Sequence, residues 1–339
     1  MAWFAGLASL VRVASPTRLS GKRVLVTGGT GFVGANLVRR LLGEGHEVGV
    51  LAKTDTDAWR LADVSAQVRW FHAGMNHGAG LEAALREFRP QWIFHLAAHG
   101  GYSWQQDSAA ILKTNVLGTA NLLDACLAAG FEAFVNTGSS SEYGFKDHAP
   151  KEGEALEPTG PYAVGKAAAT LYCSQAGRGS GARIATLRLY SVYGPWEEPR
   201  RFIPQLVARG LEGALPPLAS PRTARDYVYV DDVTAAYLAV ARGDFEPGAV
   251  FNVGTGHQTT LNEAVEIARR LLRVEVEPHW GSMADRSWDT STWVADSSRL
   301  QEQLGWRPAM DLEQGLRLTA SWLSARPELK ERYRGGASR

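Results

Sequence analysis

Residues 23–51 read as a strand, a glycine-rich turn, a helix and a second strand, and that order restricts the fold more than any other stretch. Arg23-Val-Leu-Val-Thr27 is a short apolar run of the kind that a parallel sheet buries on both faces. Thr27-Gly28-Gly29-Thr30-Gly31-Phe32-Val33-Gly34 breaks it, a helical stretch follows over 35–42, and Glu47-Val-Gly-Val-Leu51 reads as the next strand. The spacing Gly28-x-x-Gly31-x-x-Gly34 differs from the G-x-G-x-x-G form. In this setting the turn still brings a helix N-terminus, with its unpaired N–H groups, to the end of a strand, where a dinucleotide pyrophosphate binds.

The alternation continues. Trp92-Ile-Phe-His-Leu96, Ala133-Phe-Val-Asn-Thr137 and Arg183-Ile-Ala-Thr-Leu-Arg188 read as further strands, with helices beginning near Thr114 and Tyr162. The expected fold class is α/β, a Rossmann-type doubly wound parallel sheet with a smaller, mixed C-terminal substrate-binding region. After about residue 190 the pattern loosens, with proline turns at Gly194-Pro195, Glu198-Pro199 and Leu215-Pro216-Pro217. We therefore expect a dinucleotide-binding domain over 21–190 that takes later strands from about 225–255. A mainly substrate-binding region over 191–330 follows, with a cleft between the two. Residues 1–20 form an N-terminal extension whose apolar stretch, residues 1–11, is too short to span a bilayer and is ended by Arg12. Residues 331–339 look like a solvated tail.

With 339 residues the chain holds one large or two modest domains. Lys+Arg 36 against Asp+Glu 35 leaves a net charge of +1, which makes no electrostatic case for nucleic acid or an anionic membrane. Cys126 and Cys173 have neither metal-ligand nor disulfide spacing and are expected to pack in helices, compatible with a reducing cytoplasm. His72, His77 and His99 are scattered and make no metal-ligand set, so no metal is expected.

Tyr162 and Lys166 stand four apart, on one face of a helix. An ammonium near a phenol favours the phenolate, so a tyrosine whose ordinary pKa is about 10 exchanges protons closer to neutrality. Alone, the pair also fits a surface helix with a partly buried tyrosine. Behind a dinucleotide turn it reads as a proton shuttle beside a nicotinamide.

The joint order of further segments carries a family resemblance over roughly residues 22–325. After the glycine turn come His95-Leu-Ala-Ala98, Thr114-Asn-Val-Leu-Gly-Thr-Ala-Asn-Leu-Leu123, Gly138-Ser-Ser-Ser-Glu-Tyr-Gly144 and Pro161-Tyr-Ala-Val-Gly-Lys166. Arg188-Leu-Tyr-Ser-Val-Tyr-Gly-Pro195, Arg225-Asp-Tyr-Val-Tyr-Val-Asp-Asp232, Phe251-Asn-Val-Gly-Thr-Gly256 and Leu304-Gly-Trp-Arg-Pro308 follow. The chain resembles the extended short-chain dehydrogenases/reductases, specifically their nucleotide-sugar epimerase, dehydratase and reductase group.

The resemblance implies roles. Ser139 would hydrogen-bond the reacting sugar oxygen, Tyr162 would be the general acid/base on that oxygen, and Lys166 would bind the nicotinamide ribose and lower the tyrosine pKa. Gly28, Thr30, Gly31, Phe32, Val33, Gly34, Leu96, Ala97, Ala98 and Asn115 would hold the cofactor. Ser140, Ser141, Tyr102, Trp104, Ser191, Arg225 and Arg286 would meet the substrate, the two arginines at its diphosphate. Ser191 departs from the Asn of many relatives. Dehydratases of the group carry an acid pair where this chain has Ser140 and Ser141, with Glu142 displaced by one position, which disfavours a 4,6-dehydratase.

Cofactor choice turns on the residues after the second strand. Ala52 and Lys53 replace the acidic residue of NAD-preferring relatives, and Lys53 would pair with a 2'-phosphate, so the reading leans to NADP with NAD as the alternative. Asp55 and Asp57 would bind a ribose if their loop folds back. Near the adenine, Met75 and Asn76 replace a common acidic residue. The first functional expectation is a reductase of a nucleotide-linked 4-keto-6-deoxyhexose. The alternatives are an NAD-dependent nucleotide-sugar 4-epimerase and a non-catalytic dinucleotide sensor or scaffold. The helices near Thr114 and Tyr162 resemble a four-helix dimer interface, which implies a homodimer.

Overall fold

The computed structural model describes residues 21–75, 78–284 and 290–334. The expected N-terminal extension and the candidate residues Asn76, His77 and Arg286 lie outside the described residues.

Seven parallel strands form one sheet. Those of the first half are β1 (Arg23–Thr27), β2 (Glu47–Ala52), β3 (Arg69–His72), β4 (Trp92–His95), β5 (Ala133–Ser139) and β6 (Ile184–Leu189). Three short strands, β7 (Ser191–Tyr193), β8 (Ala224–Arg225) and β9 (Tyr227–Tyr229), stay out of this sheet, and β10 (Ala249–Val253) returns to its edge beside β6. The order is β10-β6-β5-β4-β1-β2-β3. The strand order reverses at β1, which opens a crevice at the C-terminal ends of β1 and β4.

Alternation along the strands distributes the core. Val24 and Val26 of β1, Trp92 and Phe94 of β4, and Val135 of β5 pack with helix α1 (Phe32–Gly43). Leu25, Ile93 and Phe134 point to the opposite face, against α2 (Gly78–Phe88). The same face receives Leu122 and Leu123 of α4 (Gly118–Ala129) and Cys173 of α5 (Pro161–Ser180). Cys126 and Cys173 are both buried, and burial pushes each thiol up to about 12.

Before α4 lies the short α3 (Ser108–Leu112), capped by Asp107, and a π-type turn over Lys113–Leu117. The C-terminal half adds α6 (Phe202–Gly210), α7 (Val230–Arg242), the two-residue β11 (Thr259–Thr260) and α8 (Leu261–Leu272). It ends with α9 (Ser298–Leu304), α10 (Leu312–Ser324) and α11 (Pro327–Arg334). A separate apolar cluster joins α6, α8 and α10 through Leu206, Val265 and Leu316. The expected tail is corrected at its start. Residues 331–334 complete α11 because Tyr333 is buried, packs edge-on against Trp322 and donates to the Glu197 carbonyl at 2.9 Å.

Candidate active site

The glycine turn is built by close approach. Gly28 has φ +68°, and a Cβ there would lie 2.5 Å from the Ala97 nitrogen. A Cβ on Gly34 would lie 2.2 Å from the Gly28 carbonyl oxygen. Only glycine allows the turn to fold this tightly against the end of β4. Gly31 caps α1 without a side-chain hydrogen bond, and no acidic residue occupies the first helical turn. The leading N–H groups of α1 are thereby left for an anion, and the cradle fits a pyrophosphate. Gly28, Thr30, Gly31, Phe32, Val33 and Gly34 all line a cleft of about 1370 Å³, which also takes in Lys53, Met75, Leu96, Ala97 and Ala98.

A buried relay fixes this edge. Thr27 Oγ1 lies 2.6 Å from His95 Nδ1, and His95 Nε2 lies 2.9 Å from Thr119 Oγ1, whose hydroxyl donates to the Asn115 carbonyl at 2.7 Å. Burial, assisted by Lys166, depresses His95 to about 3, so its imidazole is neutral. Asn115, expected at the cofactor, is placed differently. Its side chain is buried and clamps the His99 backbone, accepting from its N–H and donating to its carbonyl, both at 2.8 Å. It shapes the loop after β4 from behind, because both ends of its amide are used on backbone.

Tyr162 and Lys166 project from the first turns of α5, which starts with Pro161 at a favourable position. Lys166 is buried and its Nζ donates to the Thr137 carbonyl at 2.9 Å; burial lowers the ammonium to about 8 against the pull of Glu142. Its Nζ lies 6.0 Å from the centre of the Tyr162 ring. In the free protein Lys166 is not among the main influences on the phenol. Burial raises the Tyr162 phenol above its ordinary value, and the opposing influences are Arg201 and a hydrogen bond with Ser139. One donor of the ammonium is used on the Thr137 carbonyl, which leaves two for a ligand.

Ser139 ends β5. Its Oγ lies 2.8 Å from Ser141 Oγ and accepts from the Ser141 N–H at 3.2 Å. Ser140 and Ser141 share the cleft wall with Ser139 and Tyr162. Glu142 faces away from the cleft. Fully buried, it accepts from the Ser139 N–H at 2.8 Å, the Thr170 hydroxyl at 3.0 Å and Arg188 Nε at 2.7 Å. This carboxylate is committed to the scaffold.

On the far side, Tyr102 and Trp104 stack with centroids 4.7 Å apart and planes at 5°, and Arg200 lies 3.4 Å from the centre of the Trp104 ring. Arg201 donates to the Gly101 carbonyl at 2.8 Å and sits 5.6 Å from the Tyr102 ring centre. Ser191 and Arg225 also line the cleft; the Arg225 guanidinium donates to the Ala224 carbonyl at 2.7 Å and lies 5.5 Å from the Trp293 ring centre. Sequence reasoning missed Glu197, Arg200 and Arg201. Their only local signal is a charged run directly after Tyr193-Gly194-Pro195, which resembles a solvated turn. Among the described residues no group of three metal-ligating side chains is found, and no helix is long and apolar enough to cross a membrane.

Comparison with known proteins agrees with this geometry. Residues 24–254 match the model of the NAD dependent epimerase/dehydratase family. A UDP-glucose 4-epimerase of Mycolicibacterium smegmatis is 33% identical over 314 residues, covering 88% of this chain and 98% of that protein. A dTDP-glucose 4,6-dehydratase of Streptomyces griseus is 32% identical over 312 residues, covering 88% and 93%. The crystal structure of a Thermus thermophilus UDP-glucose 4-epimerase complex with NAD superposes with TM-score 0.79 at 32% identity, over 89% of this chain and 99% of that one. A glycine cradle at the switch point, a Ser-Tyr-Lys set on its far wall and likeness along nearly the whole chain lead to one conclusion: the protein belongs to the NAD dependent epimerase/dehydratase family, within the extended short-chain dehydrogenases/reductases.

Proposed function

We propose that the protein is a nicotinamide-dependent enzyme that acts at C4 of a nucleotide-linked hexose, in the manner of a 4-epimerase. The observation that carries this reading is the convergence of Ser139, Tyr162 and Lys166 on the wall of a cleft whose other end is an open helix N-terminus. A bound nicotinamide dinucleotide would supply the redox step. Tyr162 would take the proton from the C4 hydroxyl and later return it, with Ser139 bonding the same oxygen. Lys166 of α5, beside the Thr137 carbonyl of β5, would bond the nicotinamide ribose. Dehydration is disfavoured because Ser140 and Ser141 stand where dehydratases of the group carry an acid pair, and the adjoining Glu142 is locked to Arg188.

NAD is the first cofactor expected, since the Thermus relative was solved as a complex with NAD. A specific observation supports a second reading. Lys53 stands exposed on the cleft rim just beyond β2, where it would meet a 2'-phosphate. NADP and a 4-keto sugar reductase follow from that position. Mass spectrometry of the cofactor released from denatured protein tests both. Retained NAD supports the epimerase, because a cofactor regenerated in each cycle need not leave. Empty protein that prefers NADPH supports the reductase.

We also propose a homodimer. Leu112, Leu117, Val164 and Leu171 are large apolar residues left exposed on and beside α4 and α5, at 39%, 58%, 42% and 59%. A second copy packing the same helices would cover them.

A further inference from the structure

Glu197 is a cleft residue that the reading above leaves without a task. It lines the cleft, its side chain is only 4% exposed, and Oε2 has no hydrogen-bond partner among the described residues. Its place is fixed by its backbone: the N–H donates to the Gly194 carbonyl at 3.3 Å, and the carbonyl accepts from Tyr333. Arg201 connects it to the chemistry. Arg201, held by the Gly101 carbonyl, lines the same cleft as Tyr102, Tyr162 and Glu197. A buried polar atom without a partner is costly in the free protein, and a ligand that satisfies it gains what the fold forgoes.

We propose that Glu197 is a specificity-determining residue whose carboxyl takes a hydroxyl of the sugar ring seated against Tyr162, so that the cleft selects a neutral hydroxylated hexose. This rests on the nucleotide-sugar reading above. Burial raises the carboxyl to about 8; Arg201, a backbone hydrogen bond from Gly194 and Arg60 favour its anion, and Glu198 opposes it. At neutral pH the group is thus an acid with one donor and one acceptor, the complement of a sugar hydroxyl.

The test is calorimetric binding of UDP-glucose, dTDP-glucose, UDP, dTDP and NAD to the full chain and to Glu197→Gln and Glu197→Leu. Glu197→Leu should weaken whichever sugar nucleotide binds by about tenfold or more, and leave the matching nucleoside diphosphate and NAD within about twofold. Glu197→Gln keeps a donor and an acceptor and should restore binding to within about threefold. In the unaltered protein the affinity ratio of sugar nucleotide to diphosphate should change as pH passes about 8, and in Glu197→Gln it should stay flat. Equal losses for sugar nucleotide and diphosphate, no loss, or a loss confined to NAD would overturn the assignment. Failure of the unaltered protein to bind either sugar nucleotide, with NAD still bound, would remove the functional reading itself.

Discussion

In the free protein burial holds the Tyr162 phenol above its ordinary range, and Arg201 and Ser139 only oppose that effect. Ionising it for proton transfer is therefore a property of the filled cleft. Tyr162→Phe should lower turnover by about 10²–10⁴-fold while NAD titration stays unchanged. A dinucleotide sensor would show no change in its response. His95 makes a different prediction, on stability. Its folded value of about 3 lies below the unfolded value near 6.5, so the unfolded chain binds the extra proton. The stability it contributes is complete above about 6.5 and is lost as pH falls towards 3, by at most about 1.4 kcal/mol per unit. Urea midpoints between pH 6.5 and 4.5 should fall less steeply in His95→Asn than in the unaltered protein. Tyr162 and Lys166 were singled out in the sequence by their spacing behind the glycine turn and Ser139 through the family resemblance, and all three line one cleft. The clamp of Asn115 on the His99 backbone was not legible, because its neighbours along the chain do not reveal that His99 lies across from it. The Glu142–Arg188 pair, 46 residues apart, was hidden for the same reason.

At the scale of elements, the glycine turn is the piece with least freedom. The 2.2 Å approach at Gly34 is to backbone, which cannot swing aside. Gly34→Ala should open the turn and weaken NAD binding by at least about tenfold in a fluorescence titration, and an unchanged affinity would show that the cradle is not the pyrophosphate site. Helices α4 and α5 carry the assembly prediction. Leu117→Lys with Leu171→Glu should give a monomer in sedimentation at micromolar concentration with the far-ultraviolet spectrum unchanged. An unaltered protein that is already monomeric would refute the dimer. Strands β1, β2, β4, β5 and β6 could be read from sequence because each is a short, mostly apolar run between turn residues, whereas β3, Arg69-Trp-Phe-His72, alternates with polar ends and carries no such run. The π-type turn at Lys113–Leu117 could not, since its residues continue the helical pattern on both sides. Helix α11 has a mostly charged sequence and is fixed by one buried tyrosine, so periodicity alone leaves it as a tail.

Across the whole molecule, the segment from Pro195 to Arg201 is where the sheet half and the C-terminal half grip each other. Its carbonyls are taken from both sides. From the sheet half, Asn36 of α1 donates to Pro195 at 2.9 Å and Arg60 donates to Trp196 at 2.7 Å. From the other half, Tyr333 of α11 donates to Glu197 and Gln205 of α6 donates to Pro199 at 2.7 Å. Trp196 adopts φ +68°, an uncommon conformation for so large a residue, and is packed by Arg39 at 4.2 Å and by Trp322 at 5.1 Å. This lock sets Glu197 and Arg201 in the wall of the cleft that Tyr162 also lines, and it joins parts of the chain too distant for local pattern to relate. Arg60 is its most exposed dependency in energetic terms, because one nearly buried guanidinium serves the Trp196 carbonyl, Glu198 at 3.3 Å and the Trp59 face at 4.3 Å. Removing it leaves Glu198 without that cation and the Trp196 carbonyl without its donor. Arg60→Ala should therefore cost about 2–5 kcal/mol in denaturant unfolding. In protein that remains folded it should raise KM for the sugar nucleotide more than it changes NAD affinity, because α1 and the glycine turn stand without it. An equal effect on both ligands would mean that the segment supports the cofactor half as much as the substrate wall.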